Sequence, residues 1–562
     1  MNQHARPALS WDEVRERYID WSTAWGGSSG IKDDLVWRGY ALWWSSTLMQ
    51  KDAEVDKGWY EALCRRLNGE TAAPATAIGA VSGSLRLLLL LAIDLLKWLL
   101  LRLCSPLPPA TPPRTVWFHS LATNIQLEGD SAYDRMYAQA HLRDRAHGLQ
   151  SGYAITLIPG LKDFKAPLRF KRRVDAMLAG IQRPAFVVNR LLGIADLLRI
   201  HFAVFARWRI FRRRAGERAF RDGFVINGVR CDDILLNELE KSFFGPLQWS
   251  LAAGLSFEHW LRRAGAPQLV VTYAETVALL RPLYYFAKRA GAAHRLVSIQ
   301  HASFINNKLF LLHRAADFSQ DANWDGRQYS PMPDRYYVHG EHFKRHLKRY
   351  YPANRIEVVG CLKNDRFLPI LAEREQRATA ARQKIGGNAA DRILLVTPSV
   401  NDFQDILRVF VDATLPASWR VIITPHPFIP LDTYRRMIEA ARVTIPLEFS
   451  PGVSTQELLT ISDLVVCGYS AVAFEAAIFG VPAVRIFSTA SCPQFDDEPC
   501  VPSFSRATDF WSWFAQNFNS PAGADGKAAA IDRMVSDYFF HIDGRAADRL
   551  WEGLRPVAES IH

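Results

Sequence analysis

The chain has 562 residues, 49% of them hydrophobic and 22% charged, which is ordinary for a globular protein and too long for one small core. Its net charge of +11 favours anionic partners: phosphate-bearing small molecules, an acidic membrane surface or nucleic acid. The seven cysteines are scattered, with no Cys-x-x-Cys spacing, so we expect no disulfide framework or zinc site and favour a reducing cytoplasm.

Residues 1–109 are predicted to form a helical N-terminal region. Their polar start, MNQHARPALSWDEVRERY, lacks the basic-then-apolar order of a secretory signal, which again favours the cytoplasm. Residues 85–104, LRLLLLLAIDLLKWLLLRLC, are long enough to span a bilayer, but charged residues interrupt them. At about 100° per residue, Arg86, Asp94 and Lys97 form a polar stripe beside a broad leucine face.

Three interpretations of residues 85–104 stay open: a helix in the membrane interface, an ordinary buried helix, and a true span, which the central charges disfavour. Residues 191–218 combine apolar residues at helical spacing with the arginines Arg207, Arg209, Arg212, Arg213 and Arg214. They indicate either an anionic membrane surface or a core helix with a solvated basic end. Nucleic acid is disfavoured, because zinc-finger spacing and an RNP-type aromatic motif are both missing.

After residue 110, short apolar strands alternate with helices, which predicts an α/β fold with parallel sheets. The predicted strands are TVWFHS, YAITLIP, LVVTYAE, RLVSIQH, RYYVHG and IEVVG, followed by RILLVTPS, RVIITPHP, DLVVCG and PAVRIF. We therefore expect two Rossmann-like domains, residues 110–365 and 385–562, joined by a hinge at 366–384. The stretch after residue 536 is predicted to be helical and able to return to the first domain.

Polar residues follow two later strands, where ligands bind in such domains. His426-Pro427 ends the first, and its imidazole can donate to a phosphate oxygen or protonate a leaving group. The alternative is a histidine hydrogen-bonded within its loop. After DLVVC, Gly468 permits a tight turn and Ser470 is predicted to cap a helix, so free N–H groups would form an anion site there.

Glu475 is the one polar residue of the apolar stretch AVAFEAAIF. Its carboxylate would accept hydrogen bonds from the ribose hydroxyls of a nucleotide whose phosphates lie at Ser470; the alternative is a buried, ion-paired glutamate. Ser399, at the end of RILLVTPS, is placed with this nucleotide site. GYSAV lacks the final glycine of a nucleophile elbow, so a serine hydrolase is disfavoured.

The first domain offers the acceptor side and a general base. Glu275, after the strand LVVTY, is the first choice of base, although a helix-starting glutamate is the plain alternative. Asp130 and Asp134 lie after the first strand. The acceptor-side candidates are Gln300, His301 and Ser303. No alternating Asp-x-Asp pair follows a strand, so no obligatory metal is expected.

Several of these motifs resemble those of GT-B glycosyltransferases. His426-Pro427 is similar to their His-Pro motif, GYSAVAFEAAIFGVPAV to their nucleotide-phosphate segment, and SIQHAS with DRYYVHG and EVVG to the end of their acceptor domain. The nearest group is the bacterial surface-polysaccharide enzymes, which include Kdo transferases, sialyltransferases and CDP-glycerol glycerophosphotransferases. The resemblance covers residues 110–500. Ala471 departs from it, since a second Ser or Thr often stands there.

The resemblance implies two Rossmann-like domains facing a cleft and a metal-independent sugar transfer. The preferred donor is a CMP-linked ulosonic acid such as Kdo, and the acceptor is a lipid-linked or oligosaccharide precursor of lipopolysaccharide, O-antigen or capsule. His426 would contact the donor phosphate or assist the leaving group, Ser470 would bind phosphate, and Glu475 would hold the ribose.

The implied location is the cytoplasm, peripherally at the inner membrane, with no cofactor beyond the donor. Two alternatives stay open: polyol-phosphate transfer from a CDP-glycerol-type donor, and a non-catalytic GT-B scaffold of a polysaccharide assembly complex.

Overall fold

The computed structural model describes residues 9–28, 34–51, 56–70, 80–108, 115–138, 140–273, 280–291, 294–301, 328–427, 429–450, 452–487, 500–518 and 524–561. The N-terminal region is helical, as predicted. Its elements are α1 (Trp11–Ser28), the hairpin strands β1 (Val36–Trp37) and β2 (Tyr40–Ala41), α2 (Lys57–Leu67) and α3 (Ala80–Cys104).

The first α/β domain is built on a seven-stranded sheet. Its strands and the two hairpins outside it are β3 (Thr115–Leu121), β4 (Ile125–Glu128), β5 (Ser131–Asp134), β6 (Gln150–Thr156), β7 (Ala185–Val187), β8 (Val225–Ile226), β9 (Val229–Arg230), β10 (Leu269–Thr272), β11 (Arg295–Ile299), β12 (Arg335–Val338) and β13 (Ile356–Val358). The sheet order is β13-β12-β11-β10-β3-β6-β7, and all neighbours are parallel. Continuous apolar runs suit such strands, because both faces of the sheet are covered.

Eight helices flank this sheet within the described residues. They are α4 (Leu161–Lys165), α5 (Pro167–Gly180), α6 (Ile194–Ala215), α7 (Arg218–Arg221), α8 (Asp232–Lys241), α9 (Pro246–Ala264), α10 (Arg281–Ala290) and α11 (Glu341–Leu347). The N-terminal region shares one core with α6, α8 and α9, in which Trp43 and Trp208 are buried. Trp21 Nε1 donates to the Gly223 carbonyl at 2.9 Å. The helical extension is thus an added layer on the first domain.

The second α/β domain has a six-stranded parallel sheet. Its strands are β14 (Arg392–Thr397), β15 (Trp419–Ile423), β16 (Leu447–Phe449), β17 (Leu464–Cys467), β18 (Ala483–Ile486) and β19 (Ser503–Phe504), in the order β16-β15-β14-β17-β18-β19. The remaining helices are α12 (Leu368–Ala372), α13 (Arg374–Lys384), α14 (Phe403–Leu407), α15 (Leu431–Ala441), α16 (Thr455–Leu459), α17 (Val472–Ile478), α18 (Ala507–Phe518), α19 (Ala524–Phe539) and α20 (Ala546–Glu559). The predicted fold class, α/β with two Rossmann-like domains and a helical extension, is confirmed.

The last helix returns to the first domain. Trp551 of α20 is fully buried, lies edge-on to Phe118 at 5.6 Å between ring centroids, and donates from Nε1 to the Ala140 carbonyl at 2.7 Å. By packing, α20 therefore belongs to the first sheet, although the predicted second domain extended to residue 562.

In the described ranges, no helix combines enough length with an apolar stretch sufficient to cross a membrane.

Candidate active site

Three neighbouring strands of the second sheet end beside one another. β15, β14 and β17 are adjacent in the sheet order, and all run parallel. The loops that follow them contain His426, Ser399 and the segment Gly468–Ser470 respectively. The residues predicted for the nucleotide side therefore meet at the carboxyl edge of one sheet, which is where ligands bind in doubly wound domains.

Asp402, which the sequence analysis did not select, joins two of these loops. Its buried carboxylate accepts hydrogen bonds from the backbone N–H of Ser399 at 2.7 Å and of Tyr469 at 2.8 Å. Burial raises the pKa of Asp402 to about 6. A Cβ on Gly468 would overlap this carboxylate, so only glycine fits at that point of the turn. Asp402 thus fixes the shape of the loop that carries Ser470.

Ser470 lies at the start of the short helix α17. The helix begins at Val472 and its N-cap residue is Ala471, in place of the predicted helix start at 471 with Ser470 as cap. The Ser470 hydroxyl nevertheless accepts from the Val472 N–H at 3.3 Å. Its side chain therefore stays at the helix start, one residue before the cap.

Arg485 is the second residue that the sequence analysis missed. It lies within the apolar strand β18, is fully buried, and donates from Nε to the Gly468 carbonyl at 3.1 Å. Its guanidinium therefore supports the same turn that Asp402 holds. A charged residue inside an otherwise apolar strand was the available signal.

His426 is half-buried at the end of β15. Its backbone N–H donates to the Tyr434 hydroxyl at 3.0 Å, which anchors the loop to α15. Burial lowers the pKa of His426, so its imidazole is neutral near pH 7 and one ring nitrogen carries a proton that it can donate.

Glu475 faces the space between the two domains. It is half-buried, and its Oε2 accepts from Gln456 Nε2 at 2.9 Å. A small pocket there is lined by residues of the second domain, by Phe539 of α19, and by three residues that follow strands of the first sheet: His339, Lys363 and Asn364. The carboxylate is therefore not sealed in a core.

The acceptor-side candidates that the structure describes lie in different environments. Gln300 is buried, and its Oε1 accepts from the His339 N–H at 2.8 Å, which ties β11 to β12. His301 is half-buried, and its carbonyl accepts from Lys363 Nζ at 3.4 Å. Glu275 and Ser303 lie outside the described residues. His301 and Lys363 thus stand on the pocket side, whereas Gln300 holds strands together.

The two aspartates of the first domain occupy different environments. Asp130 is exposed in the turn between β4 and β5. Asp134 is buried; its carboxylate accepts from the Ser120 hydroxyl and from the backbone N–H of Met136 and Tyr137, and burial raises its pKa to about 6. Asp134 is thus saturated by structural partners, and Asp130 lies at a hairpin tip.

A groove of about 430 Å³ opens at the carboxyl ends of β3 and β6. Its walls include Leu121, Leu157 and Met177, and its charged lining residues are Lys162, Asp163 and Arg173. For metal ions, the described part of the chain contains no group of three or more His, Cys, Asp or Glu side chains placed to hold one.

Comparison with known proteins gives a fold-level likeness only. No family profile matches the chain, and no curated protein matches it. Among solved structures it is similar to UDP-GlcNAc 2-epimerase from Neisseria meningitidis bound to UDP-GlcNAc (13% identity, 79% of this chain and 100% of that chain, TM-score 0.44). It is also similar to the wall teichoic acid polymerase TagF (11%, 86% and 99%, 0.41) and to Anabaena HepE in complex with UDP and glucose (11%, 79% and 100%, 0.41). Because these TM-scores are below 0.5, no argument rests on them.

Proposed function

We propose that this chain is a GT-B glycosyltransferase that binds the nucleotide of an activated sugar at the carboxyl edge of the second sheet. One observation carries the proposal. The loops after β14, β15 and β17 meet at this edge, and Glu475 follows the β17 loop a short distance along the chain. Phosphate, ribose and sugar would then lie in sequence from Ser470 and His426 towards the first domain.

The chemistry assigned to each group follows from its environment. The neutral His426 imidazole would donate a hydrogen bond to a donor phosphate oxygen, and Ser470 would donate from its hydroxyl. Glu475 would accept hydrogen bonds from the two ribose hydroxyls. Lys363, in the same pocket, would supply positive charge for a phosphate or for the carboxylate of an ulosonic acid.

In the proposed reaction, an acceptor hydroxyl oxygen attacks the anomeric carbon of the donor sugar. The bond from that carbon to the phosphate oxygen breaks, and the nucleotide leaves with the electron pair. The hydroxyl proton passes to a base of the first domain, for which Glu275 is the prediction. An amphiphilic, lipid-linked acceptor would suit the apolar groove at β3 and β6, whose lining includes Lys162 and Arg173.

A binding screen tests the proposal. Saturation-transfer NMR of the full chain with CMP, CDP and UDP is expected to detect at least one nucleotide, with CMP preferred, and Glu475→Gln should weaken the signal. Glu439→Gln, on the exposed face of α15, is the matched control and should leave it unchanged. Binding of none of the three nucleotides would reject the proposal.

A donor panel separates the sugar-transfer hypothesis from its alternatives. Incubation with a CMP-linked ulosonic acid or with CDP-glycerol, followed by mass spectrometry, distinguishes an added sugar from an added glycerophosphate. Restoration of surface polysaccharide in a deletion strain by both His426→Ala and Glu275→Ala would favour the non-catalytic scaffold.

A further inference from the structure

Helix α3 turns an apolar side towards solvent, whereas an ordinary surface helix turns its apolar side towards the core. Six of its leucines are exposed: Leu85, Leu88, Leu89, Leu96, Leu99 and Leu103. At about 100° per residue they fall within one stripe of roughly 100°, which we call the leucine face. Leu85 is 67% and Leu103 68% exposed.

The side of α3 that carries Asp94 is turned inward instead. Asp94, on the side opposite the leucine face, is 8% exposed; its Oδ2 lies 3.1 Å from His201 Nε2 on α6, and its Oδ1 lies 3.4 Å from Lys97 Nζ. Because a partner for the acid is built into the protein, the orientation of α3 is fixed by specific contacts. The leucine face is a large contiguous apolar surface, which is the kind of patch that marks an interaction site.

A strongly basic element lies beside the leucine face. Helices α4 and α5 carry six basic side chains and two acidic ones, a net charge of +4 over residues 161–180. Leu100 and Leu101 of α3 share an apolar cluster with Phe170 and Val174 of α5. The Cys104 thiol also approaches the Pro167 carbonyl at 3.6 Å, which places the two helices side by side.

Lys97 of α3 and Trp249 form a pair of a kind that suits a membrane interface. Lys97 Nζ lies 5.1 Å from the ring centroid of Trp249, which is itself partly exposed. Tryptophan and lysine favour the head-group level, where their apolar parts face the acyl chains and their polar ends face water.

Helix α6 is a weaker candidate for this role, although its sequence also suggested an anionic surface. Its arginines have partners within the protein: Arg207 donates to the Val36 carbonyl at 2.9 Å, Arg212 pairs with Glu240 at 3.1 Å, and Arg214 pairs with Asp34 at 3.1 Å. The basic end of α6 is therefore largely engaged in holding the N-terminal region.

We propose that the leucine face docks on an anionic bilayer, with α3 lying in the membrane interface and α4–α5 over the lipid head groups. Apolar burial and cation attraction act together in such binding. A second copy of the chain fits less well, because a two-fold contact through the leucine face would bring two basic flanks close to each other. This proposal does not depend on the transferase assignment.

Vesicle flotation of the full chain tests the proposal. The protein is expected to float with phosphatidylcholine vesicles that contain phosphatidylglycerol, to bind pure phosphatidylcholine more weakly, and to lose part of its affinity as salt is raised. Absence of binding to the phosphatidylglycerol vesicles at low salt would overturn the proposal.

Matched variants locate the surface. Leu89→Gln with Leu96→Gln should lower vesicle affinity by about 100-fold or more, since two leucines would no longer enter the interface. The control pair Leu142→Gln and Leu431→Gln changes exposed leucines elsewhere and should have no effect. An equal loss in the control pair, or dissociation of an oligomer in sedimentation velocity in place of lost vesicle binding, would overturn the proposal.

The basic flank is tested separately. Lys162→Gln with Arg169→Gln should reduce binding to phosphatidylglycerol vesicles by about 30-fold and leave binding to phosphatidylcholine unchanged. The exposed α15 pair Arg435→Gln and Arg436→Gln removes the same charge from the second domain and should not change either. Equal effects of the two pairs would show that net charge alone attracts the protein to lipid, and would reject the assigned surface.

Discussion

Each of the two sheets has at its carboxyl edge a buried aspartate whose pKa burial raises to about 6, Asp134 in the first and Asp402 in the second. The two carboxylates differ in what they hold. Asp134 binds Ser120 and two backbone N–H groups of its own turn, whereas Asp402 binds loops that are 67 residues apart in sequence. Although both carboxylates are buried, Asp134 stabilises only its own turn, whereas Asp402 joins two loops of the candidate site.

Three connections at the two edges differ in length. In the second sheet, five residues separate β14 from α14, and four separate β17 from α17. In the first sheet, β11 ends at Ile299 and β12 begins at Arg335. In the proposed function, the short connections after β14 and β17 would preform the donor side, and the long connection after β11 would belong to the acceptor side, where substrate variety is usually accommodated.

The largest expected effect concerns the first domain alone. Trp551→Ala removes a fully buried indole and its hydrogen bond to Ala140, and should lower the free energy of unfolding by about 3–5 kcal/mol. Urea unfolding followed by fluorescence measures the loss. Phe202→Ala, at an exposed aromatic residue of the same domain, should change stability little. A loss of similar size in both variants would argue against the packing of α20 described above.

The two buried aspartates can be separated by pH. Since each pKa is raised from 3.8 to about 6, the stabilising contribution of the neutral form is present below about pH 4 and lost as the pH rises through about 6. Asp134→Asn and Asp402→Asn should each lose this pH dependence, which amounts to a change of up to about 3 kcal/mol relative to wild type between these limits. Urea unfolding at several pH values gives the slope. Only Asp402→Asn should also weaken nucleotide binding; an equal effect of Asp134→Asn would remove the distinction.

The nucleotide contacts should show a smaller effect, confined to the second edge. His426→Ala should weaken binding of the preferred nucleotide by about 10- to 100-fold, because a hydrogen bond to a charged group contributes about 1.5–3 kcal/mol. Isothermal titration calorimetry measures the affinity. His541→Ala, at an exposed histidine, is the control. Unchanged affinity in His426→Ala would place the nucleotide elsewhere.

The smallest expected effect comes from one methyl group in the turn after β17. Gly468→Ala would force a Cβ onto the Asp402 carboxylate, at a cost of about 1–3 kcal/mol. Gly58→Ala, at a helical glycine with open space around it, should be neutral or slightly stabilising. Thermal unfolding compares the two variants, and equal melting temperatures would show that the turn relaxes freely.

Much of the architecture was predictable, because strands buried on both faces must be continuous apolar runs. The positions of His426 and Ser399 followed from the same rule, since a polar residue directly after such a strand lies at the ligand-binding edge. Asp402 was not predictable: it stands in the mostly polar segment NDFQD, and only the three-dimensional fold brings it to Tyr469.

The side of α3 that faces the protein could not be predicted from the sequence either. Its periodicity separates a leucine face from a polar stripe, yet periodicity cannot say which side faces the protein. The contact of Asp94 with His201, which lies more than 100 residues later in the chain, fixes the side of α3 that faces the protein. Likewise, the arginines of α6 could be assigned only once Val36, Glu240 and Asp34 were placed around them.

The return of α20 means that the chain passes between the domains twice. The two passages lie against each other: the Asp365 carboxylate accepts from the N–H of Gly544 and Ala546, and Arg549 Nε donates to the Val359 carbonyl. A protease that cuts one passage would leave the domains joined through the other, so limited proteolysis should nick this protein without releasing either half.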